Sequence, residues 1–279
     1  MTRRGISLVE LVVSMAVLGL VLSLVGRTLV GQQRLYGDLH LREMRTRAMQ
    51  QGTQILAAEV ESLAADDGDV VSGQATDSAV EFHALIGSAV TCDLHGSTVR
   101  LPPAVDGNAP GFAAFVATPD VGDRLLAFDG ESGAEQWRAW AIVAVQRGGA
   151  PCTWAGSQEG FTLTLDSVVT GGPFTAVRIT RRTRYSLYRG GDQEWYLGMR
   201  DWNSGAGHFN SIQPVSGPFL AYHAPPASSG LRFSYADSNG VALGTPVANG
   251  ASVRRVDVVV RVQSGGDSLS RLIAVRHAP

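Results

Sequence analysis

The chain has 279 residues, with 23 basic side chains against 25 acidic ones and a formal net charge of −2. That balance excludes the bulk positive field of a nucleic-acid-binding domain. Every basic residue is arginine, a bias better explained by GC-rich coding than by chemistry.

The first predicted element is an apolar helix. Arg3 and Arg4 precede Gly5, and from Ile6 to Gly26 the only charged residue is Glu10. A run of that length matches the ~20 residues a membrane-spanning helix needs. Basic residues in front of it keep the N-terminus cytoplasmic and send the remainder outward. Two simpler readings fit less well. A secretory signal has a shorter apolar core followed by a small-residue cleavage site, whereas this run ends in Gly26-Arg27-Thr28-Leu29. A plain single-span anchor has no need of Gly5 or Glu10 at these spacings.

The segment Arg4-Gly5-Ile6-Ser7-Leu8-Val9-Glu10-Leu11 resembles the prepilin leader of type IV pilins and type II secretion pseudopilins. The resemblance implies cleavage by prepilin peptidase between Gly5 and Ile6, N-methylation of Ile6, and a registry role for Glu10 in assembly. The first mature residue of that family is usually Phe, and here it is Ile. An acid inside a span costs on the order of 2.5 kcal/mol near the bilayer centre and less near its edge, so it pairs or serves function. The partner implied for Glu10 is the methylated amine of Ile6 on a neighbouring subunit; the alternative is a Glu10 solvated at headgroup level. Loss of the leader with Arg3 and Arg4 leaves the mature chain at −4.

Beyond the span, no proline occurs from Arg27 to Ala65. Leu41, Met44, Ala48, Ile55, Leu56, Val60 and Leu63 recur at helical spacing and predict one amphipathic stripe. Span and stripe together make a helix of ~60 residues, about 90 Å long. Gly31, Gly37 and Gly52 weaken it by roughly 1 kcal/mol each relative to Ala. Asp66-Asp67-Gly68-Asp69 is its expected end, with Gly68 a left-handed terminator, although acids sit unfavourably at that end of the helix dipole.

The rest reads as β-structure, in short alternating runs bounded by turn residues. Strands are expected at 80–85, 98–101, 124–128, 140–146, 161–165, 177–180, 183–188, 194–199, 231–235, 253–262 and 269–276. The even-numbered valines of Val256–Val262 are expected in a core, with Asp257 and Arg261 toward water. Asp237-Ser238-Asn239-Gly240 predicts a hairpin turn. The pair 121–128 and 140–146 reads as a hairpin within an insert, bracketed by Pro102-Pro103 and Gly171-Gly172-Pro173.

The expected fold class is therefore α+β: a long N-terminal transmembrane and amphipathic helix, then a large antiparallel β-rich head with an inserted β subdomain. The expected boundaries are a leader at 1–5, a transmembrane or filament-core helix at 6–26 and a stalk at 27–66. The head comprises 67–101 and 176–279, with the insert at 102–175. The frame segments 184–189, 231–240 and 256–262 resemble large minor pilins of the PilW type, and also the J-type pseudopilin of type II secretion.

No G-x-S-x-G, H-E-x-x-H, P-loop or G-x-G-x-x-G fingerprint occurs, so no enzymatic activity and no cofactor are expected. Cys92 and Cys152 form no C-x-x-C motif. In an oxidising compartment they are candidates for a disulfide, the alternative being two buried thiols. Cys92-Asp93-Leu94-His95 lacks a second ligand pair, so no metal is expected. Asp237-Ser238-Asn239-Gly240 begins like a calcium loop but has Ala248 at the twelfth position.

The run Arg178–Arg189 interleaves arginine with tyrosine. It offers a nucleic-acid contact through Arg178, Arg182 and Arg184, ranked below an ordinary solvated strand face formed by those residues with Thr180 and Ser186. Nucleic acid is not an expected partner. Trp137, Trp140, Trp195, Tyr196 and Trp202 are read as core or edge aromatics. The sequence points to a filament subunit, made as an inner-membrane precursor with a periplasmic or extracellular head. Its expected partners are prepilin peptidase, the inner-membrane assembly platform and other pilins. The runner-up is a J-type pseudopilin, and a reading of another class is a membrane-anchored extracellular binding module.

Overall fold

The computed structural model describes residues 8–63, 68–102, 113–129, 136–148, 152, 160–169, 171–223, 226–262 and 268–275. The chain divides into two compact units, Met1–Arg47 and Ala48–Pro279. The expected cleavage and methylation positions, Gly5 and Ile6, lie outside the described residues, as do 64–67 and 276–279.

Helix α1 spans Leu8–Glu61 without interruption. No proline falls within it, and the hydroxyls of Ser14, Thr28 and Thr46 bond the carbonyls of Glu10, Leu24 and Arg42 one turn back. Such local bonds satisfy polar side chains without a tertiary partner. Every large apolar side chain from Leu8 to Met44 is exposed.

The last turns of α1 belong to the head. Met49, Gly52, Thr53, Leu56, Ala57 and Val60 are buried, the i, i+3, i+4 spacing of a helix laid on a core. This stripe corrects the expected one. Leu41 and Met44 are exposed and Ala48 is half-buried, because packing within the head begins only at Ala48, whose carbonyl accepts the Ser216 hydroxyl. The helix also ends earlier than Asp66, at Glu61; Gly68 does take a positive φ of 71°.

Among the described residues the head holds fifteen strands. They are β1 (Ala79–Val90), β2 (Asp93–His95), β3 (Thr98–Leu101), β4 (Ala113–Phe115), β5 (Arg124–Asp129), β6 (Gln136–Arg147), β7 (Phe161–Leu165) and β8 (Ala176–Arg189). Then follow β9 (Trp195–Asn203), β10 (His208–Phe209), β11 (Gln213–Phe219), β12 (Leu231–Ala236), β13 (Ala242–Leu243), β14 (Arg255–Arg261) and β15 (Ser268–Ala274). All named pairs are antiparallel. An eleven-stranded sheet runs β10-β9-β8-β5-β6-β7-β3-β2, with β1, β4 and β11 off that path, and curls into a half-barrel. A second sheet has the order β13-β12-β14-β15.

Strand β8 organises the large sheet. One edge pairs with β1 from Ala79↔Ser186 to Val90↔Ala176. The other edge serves two strands in turn: β5 at Val177–Thr180 and β9 at Thr183–Arg189. The sheet therefore forks at Arg181-Arg182. The sequence pattern breaks there into two expected strands, but the structure makes one.

Two hydrophobic clusters lie along this frame. The first joins the buried stripe of α1 to Phe82, Tyr185, Leu197 and Phe219, and to the second sheet through Phe233, Tyr235, Val256, Val258 and Val260. Phe82 and Tyr185 stack with ring centres 5.7 Å apart. The second contains Leu94, Val99, Leu101, Leu125, Ile142, Leu163, Leu165 and Ile179. It draws on residues either side of 102–175, since the ends of β1 and β8 and the β2–β3 hairpin contribute to it. The turn at Asp237–Gly240 joins β12 to β13. The Asp237 carboxylate accepts the N–H groups of Asn239 and Val241 at 2.9 Å, and Gly240 takes φ 76°.

Candidate functional site

Glu10 occupies the first turns of α1 and is exposed. It is the only charged side chain between Leu8 and Gly26. The helix is long and apolar enough to cross a membrane, and none of its most apolar window is buried. An exposed surface of this kind is far larger than the few hundred Å² of apolar patch usual on a soluble monomer. In water it is an unpaired cost; in lipid, or among other apolar helices, it is satisfied.

The arginine strand is the second candidate, and its side chains are less solvated than the expected open strand face. Arg178 donates to the Ser62 carbonyl at 2.9 Å, just past the end of α1, where helix carbonyls lack intrahelical partners. Its guanidinium also lies 5.9 Å from the Trp137 ring centre. Arg182 is ion-paired with Glu81 and stacks 4.4 Å over Trp202 and 5.5 Å from Phe209. Arg184 reaches the other oxygen of Glu81 at 3.5 Å, and Thr180 is buried. These arginines are therefore engaged by the protein itself. The face they share is not purely solvated: Arg178, Arg182 and Arg184 are half-buried and Thr180 is buried.

Glu81 is fully enclosed, and such a carboxylate is tolerable only with paired charge and hydrogen bonds around it. Its neighbour His83 is pushed down to about 3, first by burial and then by the positive charges of Arg124 and Arg182. The imidazole is therefore neutral in the native protein. Among the described residues its Nδ1 has no hydrogen-bond partner.

Arg181 was not among the expected site residues, yet it fixes the fork. Its Nε and Nη2 grip the two oxygens of Asp123 at 2.8 Å each, and Nη2 also donates to the Thr118 carbonyl at 2.9 Å. This bidentate geometry is the strong form of the pair. Asp123 is buried and also accepts the Asp120 N–H at 2.8 Å. The signal available in sequence was the Arg181-Arg182 doublet, but its acidic partners are 58 and 101 residues away.

Cys92 and Cys152 form a disulfide with their Cα atoms 5.3 Å apart. It ties the segment before β2 to the segment after β6. His95, beside it, is exposed. Among the described residues no group of three His, Cys, Asp or Glu side chains is placed to hold a metal. Of the aromatics, Trp140 packs against the second cluster, and Trp137 meets Phe128 edge-on. The Tyr196 hydroxyl donates to Asp192 at 2.6 Å, which pushes it up to about 12.

A long exposed apolar helix leading into an antiparallel β-rich head is a pilin-like architecture. The membrane-capable helix and the disulfide together point to membrane anchoring with an extracytoplasmic domain. Comparison of the chain with protein-family models, curated proteins and solved structures finds no match.

Proposed function

We propose that this chain is a minor pilin of the PilW type in a type IV pilus. It is cut by prepilin peptidase after Gly5, methylated on Ile6, and takes part in initiating or capping filament assembly. The observation that carries this reading is the exposed apolar surface of α1 from Leu8 to Met44, directly behind a prepilin-like leader with Glu10 at the fifth mature position. A precursor keeps that surface in the bilayer, and a filament transfers it to a bundle of like helices. Glu10 then pairs with the Ile6 amine of a neighbour. The chain works by assembly, without catalysis, alongside other pilins and the inner-membrane platform. The large head favours a minor subunit, because bulky heads crowd a helical lattice.

A J-type pseudopilin of type II secretion would carry the same leader and stalk, and differs in the operon it belongs to. The test is intact mass and N-terminal sequencing of the membrane-extracted protein, with and without Gly5→Val. The expected product starts at N-methyl-Ile6, with the variant left uncut. A chain retaining Met1, or cut beyond Gly26, sinks the reading.

A further inference from the structure

We infer that Asn239 is a site of spontaneous deamidation, and that the fold shields the same dipeptide at Asn249. The inference is independent of the filament reading. The chain contains two Asn-Gly pairs, Asn239-Gly240 and Asn249-Gly250, and both asparagines are exposed. In each pair the glycine lacks the side chain that would hinder its own backbone nitrogen. That nitrogen can attack the Asn Cγ and close a five-membered imide. The new C–N bond replaces the bond from Cγ to Nδ2, which leaves as ammonia carrying the glycine's amide proton. Water then opens the imide at either carbonyl, giving aspartate or its backbone-shifted isomer, isoaspartate. Water is the only co-reactant.

The two nitrogens differ in how they are held. Gly240 is exposed in the turn between β12 and β13, and a Cβ placed on it would meet nothing within 4 Å. Its N–H bonds the Asp237 carbonyl across the turn at 3.1 Å, and the Asn239 side chain makes no hydrogen bond among the described residues. Opening such an exposed turn is cheap. Gly250 is buried, and a Cβ on it would collide with the Val70 carbonyl oxygen. Its N–H donates to the Ser72 hydroxyl at 2.9 Å, and the Asn249 side-chain oxygen accepts the Ala251 N–H at 3.1 Å. Closing the imide there breaks both bonds and parts the backbone from Val70. At Asn239 the isomer puts an extra methylene into a turn closed by the Asp237 N–H on the Val241 carbonyl at 3.0 Å. It also adds a carboxylate beside that of Asp237. Two residue pairs, Tyr235↔Leu243 and Ala236↔Ala242, hold β13 to β12, so the modification loosens β13.

The test incubates the purified full-length protein at mildly alkaline pH, folded and in urea, and samples it over time. Cleavage at Arg232 and Arg254 releases one peptide that contains both asparagines, so each molecule carries its own control. Electron-transfer fragmentation assigns the converted position and separates aspartate from isoaspartate. In the folded protein position 239 is expected to convert about tenfold or more faster than position 249, the factor that two net hydrogen bonds are worth. In urea the two rates converge, and Ser72→Ala narrows the folded-state gap by raising the rate at 249 alone. Equal rates in the folded protein, faster conversion at 249, or an Asn239 still intact when the urea sample has converted both, overturns the inference. Hydrogen exchange on the aged protein reads the consequence: faster exchange at Ala242 and Leu243 is expected, and unchanged exchange there overturns the loosening of β13.

Discussion

At the residue scale the most consequential group is His83. Its folded value of about 3 lies well below the ordinary 6.5, so the unfolded chain binds a proton that the folded chain refuses. The contribution of His83 to stability is full above pH 6.5 and is lost as pH falls from there toward about 3, by up to about 1.4 kcal/mol per pH unit. Urea unfolding at pH 7 and pH 4 should show this slope, and His83→Gln should flatten it. An unchanged slope in the variant assigns the acid sensitivity elsewhere. The arrangement around His83 was invisible in sequence because Glu81 and Arg182 meet across 101 residues. Spacing placed Arg178, Arg182 and Arg184 on one side of a strand, but nothing local announced the carboxylate waiting for two of them.

At the element scale, the packing of α1 turns on Gly52. A Cβ there would sit 2.9 Å from the Ser216 Cβ and 3.0 Å from its Oγ. Ser216 has little room to yield, since its hydroxyl is bonded to the Ala48 carbonyl. Gly52→Val should destabilise the head by about 1–3 kcal/mol through overpacking, seen as a lower Tm. Gly37→Ala, with nothing within 4 Å of its Cβ, is the contrasting control. A Gly52→Val protein as stable as the parent removes the close-approach argument. The glycine reads in sequence as a mere weakness of the helix; only Ser216 gives it a reason. Elsewhere pattern succeeded where burial alternates cleanly. The strands Thr98–Leu101 and Phe161–Leu165 follow the period-two pattern, and in β14 Val256, Val258 and Val260 are buried as expected, although Val259 between them is buried too. It failed at β11, whose Pro214, Gly217 and Pro218 break the run while register shifts accommodate them. It failed also at β2, β4, β10 and β13, which are too short to carry a period.

At the scale of the whole molecule, the disulfide closes a separation of 60 residues. Loop-closure entropy assigns it about 4 kcal/mol of stability. Cys92→Ser/Cys152→Ser should therefore unfold at clearly lower denaturant, whereas equal midpoints would mean the unfolded state is little constrained by the link. The overall plan, helix then antiparallel head, was legible because apolar length and glycine-bounded alternation are local signals. The position of the second hydrophobic cluster was not, since it borrows one end of each of the long strands β1 and β8, whose other ends serve the first. That borrowing has a thermodynamic consequence. With β8 contributing Tyr185 to one cluster and Ile179 to the other, neither can come apart without stripping hydrogen bonds from the strand that holds its neighbour. The two clusters should therefore melt as one cooperative unit, and a Leu163→Ala cavity, remote in sequence from α1, should lower one shared Tm; two separate transitions would overturn this.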